Sequence, residues 1–178
     1  WGGIMESNNT RILIISATSK NNLVLANQLS GLIDDGKSTE ILNLEDFKLP
    51  LFVPGTECER ETVSALVERF RSAHGFIFCA PEYNGGVPPI LSNTIAWITT
   101  FSNDWRDAFN GKMAIIATHS AGPAFRFLST FRDQLEYLGT IVMPRTITVE
   151  GDQTLNERSV HTIVSGFTKI LNNKKGLD

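Results

Sequence analysis

The sequence predicts an α/β sandwich of three layers around a five-stranded parallel sheet, with strand order 2-1-3-4-5. Three observations predict it. Short apolar runs alternate with longer segments of helical period along the whole chain. The intervening segments carry helices of ten or more residues, enough for the right-handed crossovers that parallel strands require. The runs are apolar without alternation, as in strands covered by helices on both faces.

Residues 11–15 (RILII) form the first apolar run, rich in β-branched residues. Residues 21–33 read as a helix with Leu25, Leu29, Leu32 and Ile33 on one face, and Gly36 is placed to end it. Residues 39–44 read as strand two, and 45–56, with Pro50, Pro54 and Gly55, as a loop. Val63, Leu66, Val67 and Phe70 give 57–74 a helical period. Residues 75–80 (GFIFCA) are strand three, 81–89 a glycine- and proline-rich turn, and 90–101 an apolar helix. Residues 103–111 connect onward to strand four at 112–118, and 119–123 read as a tight loop. A helix at 124–138, a fifth strand within 140–149 and a last helix at 155–171 complete the pattern. Trp97, Ile98 and Phe101 share one helix, either as core or as a contact between subunits.

The 178 residues suffice for one domain with a full core. We expect that domain to span 5–178, with Met5 the natural start and 1–4 a cloning remnant. Hydrophobic residues at 42% and charged ones at 20% are those of an ordinary globular protein. A net charge of −3 argues against a nucleic-acid partner, and against the strong acidity with which small electron carriers steer their partners. Cys58 and Cys79 build no disulfide framework or metal motif, and Cys79 lies in an apolar run. A reducing, cytoplasmic location is expected. No run approaches the roughly 20 apolar residues of a membrane span.

In a sheet of this order, ligands bind outside the carboxyl ends of the strands, where the order reverses between strands one and three. Three loops lie there. The first, Ser16-Ala17-Thr18-Ser19-Lys20-Asn21-Asn22, joins a strand to a helix N-terminus. Hydroxyls, amides, free N–H groups and a lysine converge there as in a phosphate site, although Asn21 or Asn22 could simply cap the helix. It contains neither G-x-G-x-x-G nor a P-loop motif. No acidic pair follows strand one, as a phospho-receiver would need, and no G-x-S-x-G marks an esterase. The second loop, Pro81-Glu82-Tyr83-Asn84-Gly85-Gly86-Val87-Pro88-Pro89, offers an aromatic face and permissive glycines, suited to the edge of a flat heterocycle or to a plain tight turn. The third, His119-Ser120-Ala121-Gly122-Pro123, is small and presents backbone N–H groups. His119 stands near the ligand or in a structural role rather than as acid or base.

These residues carry a resemblance. Pro81-Glu82-Tyr83-Asn84-Gly85-Gly86-Val87-Pro88, followed by Leu91, Asn93, Ile95 and Trp97, is similar to the P-E-Y-N-x-x-x-P…L-K-N-x-I-D-W signature of the NADPH-dependent FMN reductase family. That family also includes quinone, azo and chromate reductases. Residues 44–51 resemble its D-L-x-x-L-P-L segment, and Lys112 to Gly122 its G-K-x-x-x-x-x-x-S-x-G strand and loop.

The resemblance implies a flavodoxin-like fold that binds FMN, with NADPH or NADH as co-substrate. It implies electron transfer to a small acceptor, such as free flavin, a quinone, an azo compound or a metal oxyanion, by a ping-pong mechanism. The nicotinamide would stack on the flavin at roughly 3–3.5 Å, with no essential acid or base side chain. Backbone N–H groups of the second or third loop would stabilise the reduced ring's charge. The resemblance further implies a homodimer or homotetramer in which another subunit helps build the slot above the flavin. Thr18, Ser19, Lys20 and Asn22 would serve the phosphate, joined in the same loop by Ser16 and Asn21. Pro81, Glu82, Tyr83, Asn84 and Gly85 would serve the ring, with His119, Ser120 and Gly122 behind it. No metal ligand is assigned.

Against the family's G-S-x-R-x-x-S-x-N loop, this chain has Ala17, Thr18 and Lys20 for the glycine, serine and arginine; Ser92 and Ala96 replace the lysine and aspartate of the helix motif. Lysine lacks arginine's bidentate fork, so weaker FMN binding is expected. The other class of reading is a flavodoxin-type electron carrier, or a flavin-binding protein without turnover.

Overall fold

A computed structural model describes residues 10–33 and 37–174. The expected start at Met5, the remnant at 1–4 and the terminating Gly36 lie outside the described residues.

The elements run β1 (Thr10–Ser16), α1 (Asn21–Gly31), β2 (Lys37–Asn43), a 3-10 turn (Leu44–Asp46), α2 (Arg60–Ser72), β3 (Gly75–Cys79), α3 (Pro89–Phe101), β4 (Met113–Ser120), α4 (Phe125–Tyr137), β5 (Ile141–Val142), β6 (Ile147–Glu150) and α5 (Glu157–Lys174). All strand pairs are parallel, in the order β2-β1-β3-β4-β5, with β6 also on β4. This is the flavodoxin-like topology.

Alternate residues of each central strand feed two cores. Leu13, Ile15, Phe76, Phe78, Ala114 and Ile116 face α2, α3 and α4. Ile12, Ile14, Ile77, Cys79, Met113 and Ile115 face α1 and α5. Every residue of β3 is buried, which explains its unbroken apolar run. Gly75 has no room for a side chain, because a Cβ there would stand 2.8 Å from Phe167 Cζ and 2.9 Å from Leu171 Cδ1.

Two expectations need correction. The fifth strand is two short ones. β5 pairs with Met113 and Ala114, and β6 with Ala117 to Ser120, so both occupy one place beside β4. The break falls at Met143–Thr146, where Pro144 has no N–H to give the ladder. Arg132 reaches into it and donates to the Met143 carbonyl at 2.7 Å. The third loop is also shorter than expected. His119 and Ser120 belong to β4, held by their register with Val149 and Glu150. Boundary shifts elsewhere are small, the largest being three residues, at the start of α2, Arg60 rather than Glu57, and at the end of α5, Lys174 rather than Leu171.

Candidate functional site

The carboxyl ends of β1, β3 and β4 bring the three candidate loops to one edge of the sheet. Ala17 N–H donates to Cys79 O at 2.9 Å, and Ala80 N–H to Ala117 O at 3.1 Å, which fixes the height of each loop against the next.

In the first loop the residues divide by role. Ser16 is fully buried and donates to Thr18 O at 2.8 Å, closing the turn on itself. Thr18 is 9% exposed, and its hydroxyl has no protein partner among the described residues. Ser19, Lys20 and Asn21 are exposed. Lys20 occupies the N-cap of α1, and no side chain caps that helix. The N–H groups of Asn21 and Asn22 bond no acceptor among the described residues, while Leu23 and Val24 N–H both turn to Lys20 O, at 2.9 and 3.1 Å. They form the positive end of a helix, open to an anion.

Asn22 links the first loop to the end of β4. Its side chain is buried and neither caps α1 nor faces outward. Its Nδ2 donates to His119 O at 3.0 Å, and its Oδ1 accepts from His119 N–H at 2.9 Å. The His119 ring points away to Gly151, donating from Nε2 to the carbonyl at 2.8 Å. Both side chains brace the loops, and only the Asn22 backbone N–H stays available to a ligand.

The second loop is a hairpin two residues wide. Tyr83 and Gly86 exchange backbone bonds of 3.2 and 3.0 Å around Asn84 and Gly85, whose φ angles are 51° and 72°. Two positive φ values in succession define the type I′ turn, for which Asn-Gly is the favoured pair. Gly85 is also pressed against Arg126, whose Cδ would lie 3.2 Å from a Cβ. Pro81 is buried, and Tyr83 is 50% exposed. Pro88 and Pro89 start α3. Further along that helix, Asn93 Nδ2 and Trp97 Nε1 both donate to Pro50 O, at 2.9 and 2.8 Å. The signature residues of the helix thus pin the Leu49–Leu51 segment. Trp97 and Ile98 belong to the core.

Glu82 joins the second loop to the third. Its N–H donates to Ser120 Oγ at 2.9 Å, and Ser120 Oγ lies 2.8 Å from Thr118 Oγ1. Its carboxylate accepts the Phe127 N–H at 2.9 Å, capping α4 from 45 residues away. Ala124 enters that helix with φ 54°. The N–H groups of Gly122, Phe125 and Arg126 bond no acceptor among the described residues. They edge a cavity of about 590 Å³ whose wall runs from Glu82 to Ser120, Gly122 and Arg126. That volume lies in the ligand-site range of about 300–1,000 Å³. Space beside Gly122 is open, with no atom within 4 Å of a would-be Cβ.

Phe125 and Arg126 escaped the sequence reading, which stopped at Pro123. The signal was a helix start directly after the third loop, where first-turn N–H groups are always free. The donor set fits FMN. The α1 terminus, Thr18 hydroxyl and Lys20 suit a phosphate, and unbonded N–H groups beside the cavity suit the carbonyl edge of a flat ring. Among the described residues no group of His, Cys, Asp or Glu is arranged to hold a metal ion, and no helix is long and apolar enough to cross a membrane.

Comparison with known proteins agrees with this geometry. The family model described as NADPH-dependent FMN reductase matches residues 10–154. The chain is 32% identical over 148 residues to an NAD(P)H-dependent FMN reductase of Pseudomonas aeruginosa, covering 76% of this chain and 71% of that one. It is 39% identical over 61 residues to a quinone reductase of Escherichia coli, covering 34% and 31%. An uncharacterized protein of Mycoplasma pneumoniae matches at 27% over 90 residues, 49% of this chain and 53% of that one. The matched stretches thus span about half of that relative and a third of the quinone reductase. Among solved structures, the NAD(P)H:acceptor oxidoreductase FerB of Paracoccus denitrificans superposes with a TM-score of 0.72 at 19% identity, covering 92% and 98%. An NADH:FMN oxidoreductase superposes with a TM-score of 0.73 at 14% identity, covering 89% and 88%. These superpositions speak for the fold; the family match over 10–154 and the 32% identical relative speak for descent. The chain belongs to the NADPH-dependent FMN reductase family.

Proposed function

We propose that the protein is an NAD(P)H-dependent flavin oxidoreductase that uses FMN to pass electrons to a small acceptor. The observation that carries this reading is the shared sheet edge. There, the free N–H groups and Lys20 at the start of α1 stand on the same side as the cavity bounded by Glu82, Ser120 and Arg126.

FMN, when bound, would supply the redox chemistry between nicotinamide and acceptor. The protein's work is binding and electrostatics. Lys20 and the α1 terminus hold the phosphate. The N–H groups of Gly122, Phe125 and Arg126, with the α4 dipole behind them, favour negative charge on whatever ring edge they face. Glu82 fixes their direction by capping α4. The Asn84-Gly85 turn packs against Arg126 of the cavity wall. No side chain need move a proton, and one cavity serving donor and acceptor in turn would give ping-pong kinetics. The acceptor belongs to the class of quinones, flavins, azo compounds or metal oxyanions.

Phe125, 72% exposed, lines the cavity, and Tyr83, 50% exposed, follows its lining residue Glu82. A second copy of the chain covering them would narrow the slot, and the reading includes a homodimer or homotetramer. Unpaired Cys58 and Cys79 suit a reducing cytoplasm.

The test is an absorbance spectrum of the protein with FMN before and after anaerobic NADPH, followed by initial rates with a quinone and with free flavin. Bleaching of bound flavin and intersecting-free, parallel double-reciprocal lines are expected. Binding without bleaching would leave only a flavin carrier. Sedimentation velocity reads the oligomeric state.

A further inference from the structure

Ser16 and Asn43 are register partners at the ends of β1 and β2, so the segments after them begin side by side. Beyond Asn43 the chain does not continue as strand. The 3-10 turn Leu44–Asp46 folds it back over the first loop, and the Ser19 hydroxyl donates to the Glu45 carboxylate there. Asn43 Nδ2 donates both to Ser19 Oγ at 2.9 Å and to Asp46 Oδ1 at 3.0 Å.

A serine hydroxyl has one proton to give. A phosphate at neutral pH mostly accepts, so it needs donors and positive charge. Of the three hydroxyls in this loop, Ser16 donates to Thr18 O, Ser19 donates to Glu45, and Thr18 alone is uncommitted. Lys20 is the loop's one cationic side chain, while Glu45 bonds Ser19 of the same loop and Asp46 bonds Asn43, which also donates to Ser19. Glu45 is therefore an anion already bonded where a phosphate oxygen would seek a donor.

We propose that Glu45 is a specificity-determining residue: its carboxylate competes with the flavin phosphate for the Ser19 hydroxyl and opposes its charge. The site then separates FMN from unphosphorylated riboflavin much less than its phosphate loop alone would. This rests on the flavin reading above. Among the described residues Glu45 bonds Ser19 and no residue of the ring site, so its effect falls on the phosphate and leaves the ring's contribution unchanged. The effect has two parts, repulsion between like charges and the occupied proton, and the two respond to different substitutions.

The experiment is equilibrium titration of flavin fluorescence with FMN and with riboflavin, for the wild type, Glu45→Gln, Glu45→Ala and Glu45→Ala in a Ser19→Ala background. Glu45→Ala is expected to tighten FMN about tenfold while riboflavin changes less than about twofold, and Glu45→Gln to give part of that gain. The gain from Glu45→Gln should shrink as salt rises, since it is coulombic. In the Ser19→Ala background the gain from Glu45→Ala should fall, because the shared hydroxyl is gone. Equal tightening of both flavins, or none of either, overturns the proposal and leaves the flavin site standing. If neither flavin binds any of the four proteins, the flavin reading fails and takes the proposal with it. Should Glu45→Ala fold poorly by thermal melt, the near-isosteric Glu45→Gln decides through its FMN-to-riboflavin ratio.

Discussion

Asn22 and His119, 97 positions apart, are joined through one side-chain amide by two hydrogen bonds, 3.0 Å to the His119 carbonyl and 2.9 Å from its N–H. The start of α1 is thereby locked to the end of β4, and the first loop to the strand that carries Ser120 to the cavity wall. Such a link does what a backbone pair would do, between segments that never meet in the sheet.

Asn22→Ala would strand a partly buried N–H and C=O at His119. Loss of about 1–3 kcal/mol in unfolding free energy is expected, measured by urea denaturation without flavin. A change seen only with flavin present would mean instead that the side chain serves the ligand.

Glu82 caps α4 through Phe127 N–H at 2.9 Å. Glu82→Ala should lower stability by roughly 0.5–2 kcal/mol, as other lost caps do. It should also weaken flavin binding, because the first turn of α4 loses its fixed direction. Parallel thermal melts and flavin titrations check both.

Gly85→Ala places a side chain at φ 72° with Arg126 Cδ 3.2 Å from the new Cβ. The strain at positive φ is worth about 1 kcal/mol. The hairpin should relax toward another turn type and flavin affinity should fall, while global stability changes little more than that. Gly86, which has a Tyr83 oxygen 3.8 Å away and no positive φ, should accept alanine with smaller loss.

Lys112 Nζ donates to Phe70 O at 2.5 Å and Arg71 O at 2.7 Å, closing the C-terminus of α2. Burial lowers its pKa to about 8, against a partial upward pull from Asp107. In the unfolded chain the amine keeps its ordinary value of 10.5. Between those two pH values the unfolded state binds more protons, so this residue makes stability rise with pH from about 8 upward. Below that window both states are protonated and the contribution is flat. Lys112→Met should abolish the rise, seen as a pH-dependent difference between wild type and variant in urea denaturation from pH 7 to 10.

Much of this was legible beforehand, and the reasons are local. Apolar runs such as Gly75–Cys79 mark a strand whose two faces are both covered, and Asn84-Gly85 announces its turn chemistry directly. What escaped notice depends on long-range pairing. His119 and Ser120 look like loop, because only their register with Val149 and Glu150 makes them strand. Asn22 looks like a cap or a phosphate ligand, because its partner lies 97 residues on. Glu45 looks like an ordinary loop charge, and only the adjacency of β1 and β2 carries it to Ser19. Arg126 lay just past the end of the motif, and only the start of α4 places it on the cavity wall.

The interrupted outer strand has a bearing on how copies of the protein can meet. Beside β4 the border consists of two residues, a proline-containing gap and four residues, too little unbroken backbone to template a foreign strand. Association by extending the ribbon from that flank is thereby disfavoured, which leaves that side of the molecule to contacts through side chains.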